Sequence, residues 1–218
     1  MFTGLIQETG EITSSERVGG HNRGSVTRIT IKAANIPSEL KTGDSVAVSG
    51  VCLTALDIGD HQFSADLAEE TLKRTSLQRL KAGSIVNLEL PAKAQDRMGG
   101  HVVQGHVDGV GSIISLQKIK FRDDWRLVVN LPSELSRYVV PQGSITIEGI
   151  SLTVAGIEGG RMEIAIIPHT WQSTNLRALH DGDPVNIEVD VLAKYAEKMA
   201  HGKTQGKLTT ADLIKQGF

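Results

Sequence analysis

Among 218 residues there is one cysteine, Cys52. A single thiol cannot close an internal disulfide, and a thiolate zinc site needs several such ligands. Aromatic residues are scarce at 4%, so Val, Ile and Leu must fill the core. Net charge is nearly absent: 23 Lys and Arg against 25 Asp and Glu leave −2. That excludes a nucleic-acid binder working through a basic face. With 39% apolar residues, the composition is not that of a disordered chain either. No apolar run reaches the ~18–20 residues of a membrane span. The opening MFTGLIQETGEI has no basic start and no long apolar stretch, so it does not read as a secretory signal. These absences lead to the expectation of a cytoplasmic protein that binds neither nucleic acid nor membrane.

What is present is a series of short, β-branched segments between turn residues. They include Val26–Ile31, Ser45–Val48, Ile85–Leu90, His101–Val103, Ser112–Ile114, Arg126–Val129, Ser144–Ile147 and Val185–Val189. Period-2 alternation makes these strands, and their even spacing suggests antiparallel barrels or sandwiches. Helical signals are few. Pro37–Leu40 and Pro132–Leu135 read as one-turn helices with Pro and an acid at the N-terminal end. Glu69–Leu80 can hold a short helix. The strongest helix is Val191–Met199, apolar at 192, 195, 196 and 199, and Thr209–Gly217 resembles a last capped turn.

The chain repeats itself. Residues 43–89 align without a gap onto 142–188, with 13 identities in 47 pairs, and the turn glycines Gly50 and Gly83 fall on Gly149 and Gly182. Gly4-Leu5-Ile6 sits over Gly105-His106-Val107. Such register marks a duplication. It divides the chain into residues 1–100, 101–189 and a C-terminal helical tail, 190–218. Each half is an all-β unit of about six strands, enough to close a barrel. The fold class expected is therefore two tandem six-stranded barrels and a C-terminal α-helix.

Two repeated stretches carry polar groups suited to a pocket. In Gly50-Val51-Cys52-Leu53-Thr54, side chains 52 and 54 share one strand face, and Ser151 and Thr153 are their counterparts. Small hydroxyls and a thiol at alternate positions can bond a heterocycle lying on the strand; a satisfied core position is the plain alternative. Asp66-Leu67-Ala68-Glu69-Glu70-Thr71 aligns with Ala165-Ile166-Ile167-Pro168-His169-Thr170, acids facing an apolar run, so two pockets would have unequal tasks. His101 and His106 lie five apart, on opposite faces of any strand, without a Cys or acid cluster. No metal site is expected. His106 alone can serve as a general acid or base, or be an ordinary packed histidine. Gly109 and Gly111 are not followed by a third glycine at 114, so no dinucleotide fingerprint is present.

Taken together, Met1-Phe2-Thr3-Gly4, Gly50–Thr54, Glu70-Thr71-Leu72, Gly99-Gly100-His101, Gly105–Gly109, Gly149–Thr153 and Ile167–Thr170 resemble the riboflavin synthase family, alpha-chain type, over nearly the whole chain. The resemblance implies two Greek-key barrels of the flavin-reductase-like, lumazine-binding kind. It implies a cofactor-free transferase that dismutates two 6,7-dimethyl-8-ribityllumazine molecules to riboflavin and 5-amino-6-ribitylamino-uracil, the last step of riboflavin biosynthesis. It further implies a homotrimer with active sites between subunits, two lumazines per site, and lumazine synthase as a further protein partner.

Carried over residue by residue, the N-terminal pocket is Gly4, Leu5, Ile6, Cys52, Leu53, Thr54, Asp66, Leu67, Ala68, Glu69, Glu70 and Thr71. The C-terminal pocket is Gly105, His106, Val107, Ser151, Leu152, Thr153, Ala165, Ile166, Ile167, Pro168, His169 and Thr170, with Gln142 nearby and Glu148 beside it. The family's sensitive positions fall on Phe2, Ser45, Cys52, His106 and Asp190. Across subunits, His106 of one chain is placed to face Cys52 of another. Three residues depart from the family pattern: Ser49 for Asn, Gln142 for Lys and Glu148 for Asp. The competing readings are a non-catalytic lumazine- or flavin-binding paralogue and, by fold analogy, a flavin-binding oxidoreductase barrel.

Overall fold

The computed structural model describes residues 1–19 and 26–202. Strands β1 (Glu8–Val18), β2 (Val26–Lys32), β3 (Ser45–Val48), β4 (Val51–Gly59), β5 (Gln62–Leu67) and β6 (Ile85–Glu89) close a barrel in the order β1-β2-β5-β4-β3-β6. Strands β7 (Gly109–Lys118), β8 (Trp125–Asn130), β9 (Ser144–Ile147), β10 (Ile150–Glu158), β11 (Arg161–Ile166) and β12 (Pro184–Val189) close a second barrel with the same cyclic order. All named pairs are antiparallel. Closure leaves no free sheet edge to pair with another chain.

Alternation explains most of each barrel. On β2, β4, β5, β8 and β11 the apolar residues at every second position turn inward and are buried. Ile29, Ile31, Phe63 and Leu88 fill the first barrel, and Leu127, Val129, Met162 and Ile187 the second. Where the first core holds Phe63 with Val46 and Val48, the second holds Met162 with Ile145 and Ile147 at the repeated positions. The smaller side chain is thus accompanied by larger ones in the same core, which keeps packing volume roughly constant.

Helices are short and peripheral: α1 (Ile36–Glu39), α2 (Glu69–Arg74), α3 (Pro168–Ser173) and α4 (Val191–Gly202). The expected helix over Glu69–Leu80 breaks at Thr75, whose backbone is extended and whose Oγ1 donates to the Thr71 carbonyl; a 3-10 turn, Ser76–Arg79, follows. Ser133–Tyr138 is likewise a 3-10 turn. His101–Val103 is not a strand: only Val103 pairs, in a single bridge to Phe2. The turn expected at Thr209–Gly217 lies outside the described residues. Among the described residues no helix is long and apolar enough to cross a membrane.

The two barrels meet along a buried polar seam. The β3–β4 and β9–β10 hairpins turn at Ser49-Gly50 and Glu148-Gly149, all four at positive φ, the geometry of a two-residue primed turn. Their tips touch: a Cβ on Gly50 would lie 2.7 Å from the Gly149 nitrogen, and the reverse contact is the same. Only glycine allows that approach. Asn87 Nδ2 donates to the Glu148 carbonyl (2.9 Å), and Asn186 Nδ2 to the Ser49 carbonyl (2.9 Å). Asn87 Oδ1 accepts from the Asn175 N–H, Asn186 Oδ1 from the Ser76 N–H. This is why β6 and β12 are buried through Asn87 and Asn186 instead of alternating. Among the described residues no buried side-chain polar atom lacks a partner.

Glu148 belongs to this seam. Its carboxylate accepts from the Asn186 N–H, Ser76 Oγ and Asn175 Nδ2. Burial is the largest influence on it and raises its pKa above the ordinary 4.5, with the donors pulling the other way. A raised folded-state value means stability that is complete below the ordinary value and lost as pH rises through the folded one. The gap in Tm between Glu148→Gln and the unmodified protein is therefore expected to shift in the variant's favour as pH rises. Thermal melts from about pH 4 to 8 measure it, and a gap independent of pH contradicts it.

Candidate active site

Register places the polar residues of each hairpin on one face. In the first barrel Ser45 stands opposite Thr54 and Ala47 opposite Cys52. In the second, Ser144 stands opposite Thr153 and Thr146 opposite Ser151. Directly paired residues of an antiparallel ladder point the same way, so each set of four shares a face. Leu53 and Leu152, at the intervening positions, are buried in the barrel interiors. The two faces are equal in backbone and unequal in chemistry. Ala47 and the Cys52 thiol pack with Phe2 and Val103 in a small apolar cluster, whereas the other face presents four hydroxyls.

The segments that lead into β1 and β7 cross each other. Phe2 and Val103 exchange N–H···O bonds of 2.7 and 3.1 Å. Beyond the crossing, the Gly4 carbonyl accepts from the Ser151 N–H (2.8 Å) and the Gly105 carbonyl from the Cys52 N–H (2.8 Å). Ile6 packs on the second barrel's core and Val107 on the first's. This corrects the grouping carried over from the resemblance. Gly4–Ile6 line the Ser151 face, and Gly105–Val107 line the Cys52 face. His106 thus follows, in the same chain, the residue whose carbonyl bonds Cys52.

Two glutamates hold the crossing. Glu89, at the end of β6, accepts from the N–H groups of Thr3 (2.7 Å) and Gly4 (3.0 Å) and from Thr3 Oγ1 (2.8 Å). Glu188, at the end of β12, accepts from the N–H groups of Gln104 (2.7 Å), Gly105 (2.9 Å) and His106 (3.0 Å). Burial raises the pKa of both, against the pull of these donors. Neither glutamate was expected at the site from sequence. The signal was available: Asn-x-Glu recurs at 87–89 and 186–188, polar residues that a one-sided strand has no reason to bury twice.

The remaining expected residues divide by what their side chains touch. Asp66, next to last in β5, is gripped by Arg28, Nε to Oδ1 at 2.6 Å and Nη2 to Oδ2 at 2.9 Å; this hydrogen-bonded ion pair lowers its pKa. Ala165 replaces it in the second barrel. Leu67 and Ile166 are core residues, so only their backbone can meet a ligand. Ala68 caps α2, and Glu69 and Glu70 are exposed and paired with Lys73 and Arg74 one turn on. Ile167, His169 and Ala165 are exposed, Pro168 opens α3, and the half-buried Thr71 and Thr170 offer their carbonyls to Thr75 and Thr174. Ser45, Thr54, Thr153, Leu5, His106 and Gln142 are exposed. Glu148 lies in the seam and faces no open surface, because its acceptors are consumed there. Asp190 caps α4, its Oδ1 accepting from the Leu192 N–H (2.9 Å). A surface depression of about 820 Å³ lies over β7, β8, β10 and β11, lined by Arg126, Arg161 and Glu163, and contains none of these residues.

Comparison with known proteins matches residues 3–91 and 104–190 to the lumazine binding domain, one copy on each barrel. The riboflavin synthase of Mycobacterium tuberculosis is 43% identical over 204 residues, covering 91% of this chain and 98% of the relative. That of Bacillus subtilis is 40% identical over 222 residues, covering both chains fully at 100%. Among solved structures, LumP complexed with riboflavin superposes with a TM-score of 0.77 at 23% identity, covering 87% of this chain and 99% of that one. LumP complexed with 6,7-dimethyl-8-(1'-D-ribityl) lumazine gives 0.75 at the same identity. At that identity the likeness speaks for the fold.

The crossing can be tested with two glycines. A Cβ on Gly105 would lie 2.7 Å from Cys52 Cβ, whereas one on Gly83 meets nothing within 4 Å; both have positive φ. Gly105→Ala and Gly83→Ala share the left-handed backbone cost of about 1–2 kcal/mol, but only the former must push the lead-in off Cys52. Gly105→Ala is expected to lower Tm further and to speed alkylation of the chain's one thiol. Equal alkylation rates in the two variants would speak against the packing described.

Proposed function

The chain belongs to the riboflavin synthases, the family whose two repeats are lumazine-binding domains, and on that premise we propose how its barrels carry out the reaction. Two 6,7-dimethyl-8-ribityllumazine molecules dismutate: one passes a four-carbon unit to the other, giving riboflavin and 5-amino-6-ribitylamino-uracil. Two lumazines hold the same atoms as the two products, so neither oxidant nor reductant enters, and the reading calls for no cofactor.

The observation that carries the reading is the pair of unequal faces. One lumazine lies over Ser45, Cys52 and Thr54 under the Gly105–Val107 lead-in. The other lies over Ser151 and Thr153 under Gly4–Ile6. Identical substrates in donor and acceptor roles need similar shapes and different polar surroundings, and the duplicated hairpins supply both. The chemistry asks for removal of a proton from the C7 methyl of one ring and for a nucleophile, water or a side chain, at C7 of the other. His106, exposed and next in the chain to the residue that bonds Cys52, carries the proton; Cys52 and Ser45 complete the polar group around the ring. Holding the two rings in register contributes most, since orientation alone can lower a barrier by ~7–11 kcal/mol.

In the proposed arrangement the two faces of one active site come from neighbouring subunits of a homotrimer. Supporting this, α4 is tied to the second barrel by Lys194 to Asp108 (2.6 Å) and by Glu197 to Arg137 (3.0 Å), while Leu192, Tyr195 and Met199 are 67%, 57% and 68% exposed on one stripe. An apolar stripe on a helix so anchored suits packing against its own copies. Cytoplasmic location completes the reading.

Incubation with 6,7-dimethyl-8-ribityllumazine alone, followed by absorbance and fluorescence, is expected to show riboflavin forming. Ligand bound without turnover would leave only a binding protein. Cys52→Ser and His106→Ala are each expected to slow turnover tenfold or more with assembly intact; unchanged rates would remove them from the catalytic group. Ending the chain at Asp190 is expected to give monomers by analytical ultracentrifugation, and a persistent trimer would refute the role of α4.

A further inference from the structure

His101 stands in the lead-in to the second barrel, half-buried over the paired strands β9 and β10. Its Nδ1 lies 2.7 Å from Ser151 Oγ and its Nε2 3.1 Å from Thr146 Oγ1. Those two residues are direct cross-strand partners, so one imidazole bridges the hydroxyls of one strand pair.

The direction of both bonds follows from what is buried. Thr146 is 1% exposed, and His101 is its only side-chain hydrogen-bond partner among the described residues. A buried hydroxyl proton without an acceptor is costly, so the Thr146 O–H donates to Nε2. A neutral imidazole that accepts at Nε2 carries its proton on Nδ1, and that proton goes to Ser151 Oγ. Burial favours the neutral ring by pushing its pKa below the ordinary 6.5, outweighing the upward pull of the Asp190 carboxylate. Ser151 is fixed in other ways too. Its N–H is bonded to the Gly4 carbonyl, and a Cβ on Gly4 or Gly100 would come within 2.6 or 3.0 Å of its own Cβ. With Oγ receiving the imidazole proton, the serine's own proton is left to point off the strand face.

We propose that His101 is a positioning residue of the second pocket, which sets the Ser151 hydroxyl as a hydrogen-bond donor toward an acceptor on the bound ring, a carbonyl oxygen or an unprotonated ring nitrogen of a pteridine. The proposal rests on the reading that this face holds a lumazine. It also names what separates the two pockets. Ala47 occupies the place of Thr146 in the first barrel, and among the described residues no side chain bonds the Cys52 thiol. The first face therefore keeps a free thiol, and the second a hydroxyl of fixed direction.

The test uses the full chain with 6,7-dimethyl-8-ribityllumazine. His101→Ala and Ser151→Ala are each expected to raise KM about tenfold, and the double variant to be no weaker than Ser151→Ala, because the histidine acts through the serine. His101→Asn, whose amide can donate from near the Nδ1 position, is expected to recover most of the loss. Nitrogen-15 spectra of histidine-labelled protein are expected to show His101 neutral and protonated on Nδ1. Losses that multiply in the double variant, or a proton found on Nε2, overturn the proposal. If His101→Ala does not fold, the asparagine variant and the nitrogen spectrum decide. Turnover by the unmodified enzyme with such contrary results sinks this inference alone; no riboflavin from the unmodified enzyme removes the reading beneath it.

Discussion

Two buried strands each carry, near their C-terminal ends, an asparagine and a glutamate with one residue between them, and the rest of the molecule hangs on those four side chains. Asn87 and Asn186 reach across to the hairpin tip of the opposite barrel. Glu89 and Glu188 hold the lead-ins that cross between the barrels. A buried carboxylate is tolerated only when it is fully bonded, and here backbone N–H groups of the lead-ins supply the bonds. Burial and placement are thus one requirement: the carboxylates can sit inside only if the lead-ins lie on the opposite hairpins, and it is those lead-ins that roof the two candidate pockets.

Duplication gives two copies of one backbone, and the site uses the differences laid on it. Ala47 and Thr146, Cys52 and Ser151, are paired by the repeat and lie on equivalent strand faces. Around Cys52 the additions are apolar, chiefly Phe2. Around Ser151 they are polar, chiefly His101. A thiol in an apolar setting and a hydroxyl of fixed direction are chemically distinct tools, although the chain reaches both by the same fold. Arg28 closes on Asp66 near the end of β5; in the second barrel, where Ala165 faces Arg126, that arginine turns instead to Glu163.

Much of the fold could be read directly. Alternating β-branched segments such as Ser45–Val48 and Ser144–Ile147 became strands with those same bounds, because a strand's side-chain period is local. The strand-like stretch His101–Val103 failed because its hydrogen bonds go to the other lead-in and to side chains, which no local pattern reports. Thr75 ended a helix earlier than expected because its hydroxyl competes for the Thr71 carbonyl. In the site, Cys52 with Thr54 and Ser151 with Thr153 could be placed on one face from period two alone. Their partners could not, since Gly105 reaches Cys52, and Gly4 reaches Ser151, over more than fifty residues of intervening chain.

The duplication, the all-β character, the strand faces and the residue types on them are all legible in the chain, because each depends on short-range pattern or on identity between the two halves. Which lead-in covers which hairpin, why Asn87, Asn186, Glu89 and Glu188 are buried, that the Glu148 carboxylate is bonded within the seam, and that His101 turns onto Ser151 emerge only in the folded chain. One cause underlies them all. These are hydrogen bonds between segments far apart in the chain, and their geometry exists only once two closed barrels stand tip to tip.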